Sequence, residues 1–178
     1  MITIIGGKYK RKKINVPLEE VRPTSSLKRE AIFAILESYA FKNSFNLYKN
    51  KCFIDLYAGS GSFGLEAISR GASFAYFYEI NSNVSKILNK NCKLICNKNE
   101  YKIFQKDIMN VDSFKIEYPL SSIFIDPPYD LKVTDQLLNK IINSNILTNK
   151  SIVVVETEKN YLFKIPNSLN VINEKKYG

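Results

Sequence analysis

Four stretches of this sequence carry residues that could do chemistry, and acids dominate them. Asp55 stands four residues ahead of Gly59-Ser60-Gly61, and Gly64 completes a G-x-G-x-x-G spacing. Glu79 follows 20 residues after Gly59, Asp107-Ile108 comes next, and Asp126-Pro127-Pro128-Tyr129 closes the series. Glycines let a backbone turn tightly and approach a ligand with no Cβ in the way. Between a strand and a helix, that pattern reads as a nucleotide-type binding loop. An acid such as Glu79 can accept both hydroxyls of a ribose, and Asp107 with the Ile108 amide beside it suits an adenine amino group. Taken singly, each has a plainer reading: the glycines as a turn, Glu79 and Asp107 as capping or solvated acids, Asp-Pro-Pro as a loop. The chain has no histidine. That excludes Ser-His-Asp and Cys-His hydrolases and removes the commonest general base. Cys52, Cys92 and Cys96 cannot form a disulfide framework. Without histidine or a second cysteine pair they read as buried thiols rather than a zinc site, and no metal is expected.

The elements that must position these groups emerge from the hydrophobic pattern. With 178 residues and 45% hydrophobic content, the chain is long enough for one domain with a substantial core. It contains no apolar run long enough to span a bilayer. The start, Met1-Ile2-Thr3-Ile4-Ile5-Gly6-Gly7 followed by lysines, reverses the order of a signal peptide, so a cytoplasmic protein without membrane contact is expected. Ile2 to Ile5, Gly6-Gly7 and a basic run returning to Ile14-Asn15-Val16 predict a β-hairpin with a basic tip. Pro17 and Pro23 punctuate the segment after the hairpin. Thr24, Ser25 and Ser26 are N-cap candidates for a helix whose apolar face would be Leu27, Ala31, Ile32, Ile35, Leu36 and Tyr39. Beyond Lys51 the rhythm predicts strands over 52–57, 74–80, 101–105, 122–125 and 151–156. Helices are predicted near 62–70, 83–96 and 132–146. Such alternation means βαβ units. The expected fold class is α/β: a Rossmann-like, doubly wound, mostly parallel sheet. Residues 1–178 are expected to form a single domain, with 1–40 as a basic N-terminal extension and 51–178 as the catalytic sheet. In such a sheet ligands bind outside the carboxyl ends of the strands, where all four acid-bearing stretches fall.

The net charge of +9 favours a polyanionic partner, but Lys (22), Ile (22) and Asn (19) make up 63 of the 178 residues. That bias alone could place lysines on a solvated surface. Distribution says more: residues 1–30 hold eight cations against Glu19, Glu20 and Glu30. Lys8, Lys10, Arg11, Lys12 and Lys13 could meet phosphates, and Tyr9 among them could stack on a base. Nucleic acid is the expected partner.

A glycine-rich loop with a ribose acid also describes a dinucleotide site. There, however, the glycines and the helix N-terminus serve a pyrophosphate, which the Asp55 carboxylate would repel. A dehydrogenase also needs a substrate domain, and the residues beyond Gly64 are nearly all consumed by the sheet and its helices. S-adenosylmethionine fits better, with its ammonium at Asp55, its ribose at Glu79 and its adenine at Asp107.

Asp55, Gly59-Ser60-Gly61, Glu79, Asp107 and Asp126-Pro127-Pro128-Tyr129 resemble the ordered motifs of class I methyltransferases acting on exocyclic amines. Ile4-Ile5-Gly6-Gly7-Lys8-Tyr9-Lys10, then Arg22-Pro23-Thr24 with Arg29-Glu30 and Phe33, narrows the resemblance to the RsmD family, the bacterial 16S ribosomal RNA guanine-N2 methyltransferases. The resemblance covers the chain from residue 2 to Gly178. It implies an S-adenosylmethionine-dependent enzyme whose partner is 16S ribosomal RNA, within the small ribosomal subunit or an assembly intermediate. Asp126, Pro127, Pro128 and Tyr129 would then be catalytic. The cofactor would touch Ala58, Gly59, Ser60, Gly61 and Ile80 besides the acids and Ile108. Arg22 and Thr24 would lie near its carboxylate. Lys8, Tyr9, Lys10, Arg11, Lys12 and Lys13 would hold RNA. A monomer is expected. Family members typically continue past the segment matching Lys176-Tyr177-Gly178 into one more strand, antiparallel to the rest; the resemblance thus implies either that this strand is missing or that the sheet closes differently. Adenine-N6 or cytosine-N4 methylation of RNA or DNA remains an alternative, as do a non-catalytic RNA-binding module of the same fold and, more remotely, a nicotinamide-dependent reductase.

Overall fold

The N-terminal residues pair as the hairpin that their pattern predicts, although only two pairs form: β1 (Ile2–Thr3) runs antiparallel to β2 (Lys13–Ile14). The structure is a computed structural model and describes residues 1–17, 25–128, 133–158 and 160–176. Helix α1 (Ser26–Lys42) follows, its N-terminus capped by the Ser25 hydroxyl, which accepts the Lys28 amide at 3.2 Å. The chain then alternates through β3 (Cys52–Leu56), α2 (Ser62–Arg70), β4 (Phe74–Tyr78), α3 (Ser82–Ile95), β5 (Tyr101–Phe104), β6 (Leu120–Ile125), α4 (Thr134–Asn143) and β7 (Ile152–Val155). Each agrees with its predicted segment to within a few residues. Among the described residues after β7 there is no further strand.

The five later strands form one sheet in the order β5-β4-β3-β6-β7, every neighbouring pair parallel. β3, β4 and β6 are buried throughout, because helices cover both faces and leave no solvated side. The chain steps outward from β3 to β4 and β5, then crosses back to β6 on the other side of β3. That reversal opens a crevice at the carboxyl ends of β3 and β6, where ligands of such sheets bind. One face packs against α2, α3, α1 and the hairpin, through Leu65, Leu88, Phe33 and Ile4. The other packs against α4 and the segment around Phe114, through Leu137, Ile141 and Ile123. Cys52 and Cys92 are buried and Cys96 is half-buried, all as thiols. Burial pushes Cys52 and Cys96 up to about 12, which makes them inert.

The buried face of α1 overlaps the expected one only in part: Leu36 is buried, and Ile32 and Tyr39 pack against the core. It presents Arg29, Phe33, Leu36 and Ala40 to the core, while Leu27 is 78% exposed. Two contacts set this rotation. Phe33 stacks on Phe63 with centroids 4.9 Å apart, and Phe63 on Phe124 at 4.2 Å, pairs worth about 0.5–1.5 kcal/mol each beyond their area. Arg29 is buried beside Glu66 at 3.6 Å and donates to the Thr3 carbonyl at 2.6 Å. A charged residue thus occupies a core position that apolar periodicity counts as surface.

The hairpin is bound to α2 by polar groups. Glu66, fully buried, accepts the amides of Ile5 and Gly6 at 2.8 and 2.7 Å, and Arg70 Nε at 2.8 Å. Ser69 accepts the Tyr9 amide on its hydroxyl and the Lys8 amide on its carbonyl. The approach is so close that a Cβ on Gly7 would lie 1.8 Å from the Ser69 carbonyl oxygen, at a φ of +74°. Only glycine fits there.

Candidate active site

The crevice between β3 and β6 is built from the turn that leaves β3. Tyr57 sits in the left-handed region at φ 62°, followed by Gly59 at 55° and Gly61 at 79°. Together they coil the backbone from strand into α2. A side chain on Gly61 would run into Leu88, its Cβ only 2.4 Å from Cδ1. On Gly64 a Cβ would meet the Phe77 ring at 2.3 Å. The third glycine therefore lets α2 lie directly on β4, the packing role that this position has in nucleotide-binding turns.

Asp55 is the deepest of the acids. It lies within β3, between Phe77 and Phe124 in register, is 2% exposed, and its Oδ2 accepts the Gly64 amide at 3.1 Å. Burial drives its carboxyl well above the ordinary range; the Gly64 hydrogen bond opposes this, and the charges of Asp126 and Glu79 reinforce it. The charges of two acids from the neighbouring strand ends thus act on Asp55. Such a site favours a ligand that brings positive charge to Asp55 and disfavours one that brings a pyrophosphate. The ammonium of S-adenosylmethionine has the required charge. Among the described residues, no group of three or more His, Cys, Asp or Glu could hold a metal ion.

Glu79, at the end of β4, accepts the Gly59 amide on Oε2 at 2.9 Å and the Asn81 amide on Oε1 at 2.8 Å. It fastens the glycine turn to the neighbouring strand. Each carboxylate oxygen keeps a second acceptor direction, so this anchoring leaves room for two ribose hydroxyls. Ile80 beside it is 62% exposed, an apolar surface at the rim. Asp107 caps a short 3₁₀ turn (Ile108–Asn110), taking the Met109 amide on Oδ1 at 2.9 Å and the Asn110 side chain on Oδ2 at 3.3 Å. Its capping reading therefore holds, with the same spare acceptor capacity. Ile108 is buried. Ala58 and Ser60 are also buried, Ala58 donating its amide to the Tyr78 carbonyl at 2.9 Å.

Asp126 and Pro127 follow β6, half-buried and buried respectively, with Pro128 exposed. The Ile125 carbonyl just before them accepts the Glu156 amide at 2.9 Å, so β7 braces this strand end. Tyr129, Arg22 and Thr24 lie outside the described residues. Two groups escaped the sequence reading. Tyr57 is half-buried, and its hydroxyl is pushed up to about 12 by burial and by the nearby charge of Asp107. Asn91 is fully buried: Nδ2 donates to the carbonyls of Asn15 and Ser60, and Oδ1 accepts the Asn15 amide, all at 2.9 Å. No periodicity argument could have found it, because a single asparagine on a helix ordinarily faces water.

The basic tip is remote from this crevice. Lys8 and Tyr9 meet Ser69 near the C-terminal end of α2, and Lys12 Nζ reaches the Leu94 carbonyl near that of α3 at 3.4 Å. Both helices begin at the carboxyl ends of strands, so the tip lies toward the opposite edge, roughly 10 Å along α2 from the glycine turn. The ammonium groups of Lys8 and Lys12 lie over the Tyr9 ring at 4.9 and 5.1 Å. Lys10, Arg11 and Lys13 are exposed.

The model of a family described as conserved hypothetical protein 95 matches residues 2–178. A protein of Buchnera aphidicola (from Acyrthosiphon pisum) called ribosomal RNA small subunit methyltransferase D is 32% identical, covering 98% of this chain and 87% of that protein. The protein of the same name from Escherichia coli K12 is 30% identical, covering 99% and 85%. The solved structure of the Escherichia coli protein yhhF superposes with a TM-score of 0.82 at 27% identity, over 99% of this chain and 92% of that one.

Proposed function

The chain belongs to the RsmD family, the one described as conserved hypothetical protein 95, and from its crevice we propose that it transfers a methyl group from S-adenosylmethionine to the exocyclic N2 of a guanine in 16S ribosomal RNA. The class I methyltransferase fold implies that cofactor. The observation that carries the reading is the deeply buried Asp55, which feels the charges of Glu79 and Asp126 beside a glycine turn tied to Glu79. The relatives called ribosomal RNA small subunit methyltransferase D support the choice of RNA.

Bound in the crevice, S-adenosylmethionine supplies an electrophilic methyl on a sulfonium. Asp55 would receive its ammonium, Glu79 its two ribose hydroxyls, and Asp107 with the Ile108 amide its adenine edge. Ile80 would cover the adenine face, and Arg22 and Thr24 would hold the carboxylate. Guanine N2 is a poor nucleophile because its lone pair is delocalised into the ring. The Asp126 carboxylate and the Pro127 carbonyl accept its two N–H bonds and so aim the lone pair at the methyl carbon. Consecutive prolines restrict the backbone that carries this carbonyl. Tyr129 holds the base by stacking, worth roughly 1–3 kcal/mol. Positioning of the base against the methyl donor would contribute much of the rest. Methylation would make the nitrogen acidic, so the Asp126 carboxylate that accepts its N–H, or water, would suffice to take the proton without a strong base. A chain with no histidine suffices for this chemistry.

The target base must be unpaired or extruded to enter such a pocket, and the hairpin lysines grip phosphates elsewhere on the same RNA. The test is transfer of labelled methyl to small ribosomal subunits lacking the modification, followed by nucleoside analysis. Label in N2-methylguanosine is the expected result. Label on adenine or cytosine would overturn the base assignment, and NADH binding without transfer would overturn the reaction.

A further inference from the structure

We infer that the outward face of α3 is an RNA track, on which Lys86, Lys90 and Lys93 receive backbone phosphates between the basic hairpin and the crevice. The inference rests on the proposed RNA substrate. These lysines are spaced four and three residues apart and all are exposed, so they form one stripe roughly 10 Å long. The stripe faces directly away from the buried side, which carries Leu88, Cys92 and Ile95.

Lysine enrichment alone does not explain it. The other helices mix their charges: α1 carries Glu30 and Glu37, α2 Glu66, and α4 Asp135, whereas α3 has no acid at all. Like charges at this spacing repel, so the stripe does nothing for the helix itself. Among the described residues none of the three lysines lies within an ion-pair distance of an acid.

Both ends of α3 meet groups already assigned to the reaction. At its start the Asn81 amide donates to Glu79 at 2.8 Å, and near its end the Leu94 carbonyl accepts Lys12 Nζ at 3.4 Å. The helix therefore bridges the ribose acid and the hairpin tip, and its stripe makes one positive path of them. Acids stand near both ends of the helix: Glu79, which accepts the Asn81 amide, and Glu100, whose charge acts on Lys8. Contacts of this kind fix the register of a nucleic acid without reading its sequence.

The test replaces Lys86, Lys90 and Lys93 together by glutamine, which has a similar helix propensity. Affinity for small-subunit RNA is measured against salt concentration for both proteins. The plot of log affinity against log salt should become shallower by roughly 2 to 3, at about 0.7–0.9 per lost phosphate contact. Cofactor affinity and melting temperature should stay unchanged. An unaltered slope overturns the inference while leaving the proposed reaction intact. An unaltered slope together with loss of binding to phosphatidylserine vesicles assigns the stripe to a membrane surface and overturns it as well. Absence of any salt-dependent RNA binding by the unsubstituted protein overturns the inference and the RNA substrate together.

Discussion

Replacing Asp55 by asparagine keeps the shape of the side chain and an oxygen for the Gly64 amide, 3.1 Å away, but removes the charge. In the unsubstituted protein, burial lifts this carboxyl above its value in the unfolded chain, about 3.9. An acid that binds its proton more tightly when folded favours the fold at low pH. That stability is lost as pH rises from about 4 toward the raised value, at about 1.4 kcal/mol per pH unit. Asparagine does not titrate, so this slope disappears in Asp55→Asn.

The same group makes cofactor binding depend on pH. If the ammonium of S-adenosylmethionine requires an ionised Asp55, binding below the raised pKa releases one proton. Affinity then climbs by up to about tenfold per pH unit, since one unit is about 1.4 kcal/mol. Calorimetric titration between about pH 5 and 7 avoids the ligand's own amino group, which titrates near 7.7–8.0. Two buffers of different ionisation heat count the proton. The expected result is proton release by the unsubstituted protein that grows as pH falls below the raised value, none by Asp55→Asn, and weaker, pH-independent binding by the variant. Equal dissociation constants across that range, with no proton released by the unsubstituted protein, would refute the placement of the ammonium at Asp55.

Other substitutions test the remaining assignments. Asp126→Ala should abolish methyl transfer while cofactor affinity holds or improves, because Asp126 is one of the charges that hinder ionisation of Asp55; a large loss of cofactor binding in the titration would count against its role at the base. Glu79→Ala removes the ribose acceptor and the anchor of the Gly59 amide together, so the cofactor dissociation constant should rise about tenfold or more, and an unchanged constant would take Glu79 out of the site. Gly7→Ala forces a Cβ to within 1.8 Å of the Ser69 carbonyl oxygen at a positive φ, a cost of about 2–5 kcal/mol. Thermal unfolding should register it as a fall of roughly 5–15 °C.

The sheet was legible because β3, β4 and β6 are apolar for most of their lengths and buried throughout, and such runs separated by amphipathic segments have few other ways to fold. The glycine turn and its acids were legible for a topological reason, since each lies at or just after the end of a strand and strand ends converge at the switch point. The features that escaped depend on polar groups inside. Arg29 and Glu66 are fully buried, yet both are types that periodicity assigns to water, so the buried face of α1 is turned partly away from the apolar stripe. The position of the hairpin tip was hidden for the same reason, since Glu66 and Ser69 hold it. The stripe on α3 was masked by composition: in a chain with 22 lysines, three on one helix look like nothing until their helix proves free of acids.

These buried polar groups also decide what kind of object the N-terminal extension is. A hairpin held by apolar contacts alone could slide over α2 and α3 at little cost, because dispersion is not directional. This one is held by bonds that require position. Glu66 takes two consecutive amides of the hairpin while pairing with Arg29 and Arg70. Asn91 uses three hydrogen bonds to join Asn15, at the end of the hairpin, to Ser60 in the glycine turn. Breaking one such bond leaves a buried donor or acceptor unpaired, at about 1–3 kcal/mol. Asn15 therefore moves cheaply only if Ser60 moves with it. A pull on the hairpin is thus carried through Asn91 to the glycine turn, and the extension is locked to that turn rather than loosely tethered to it.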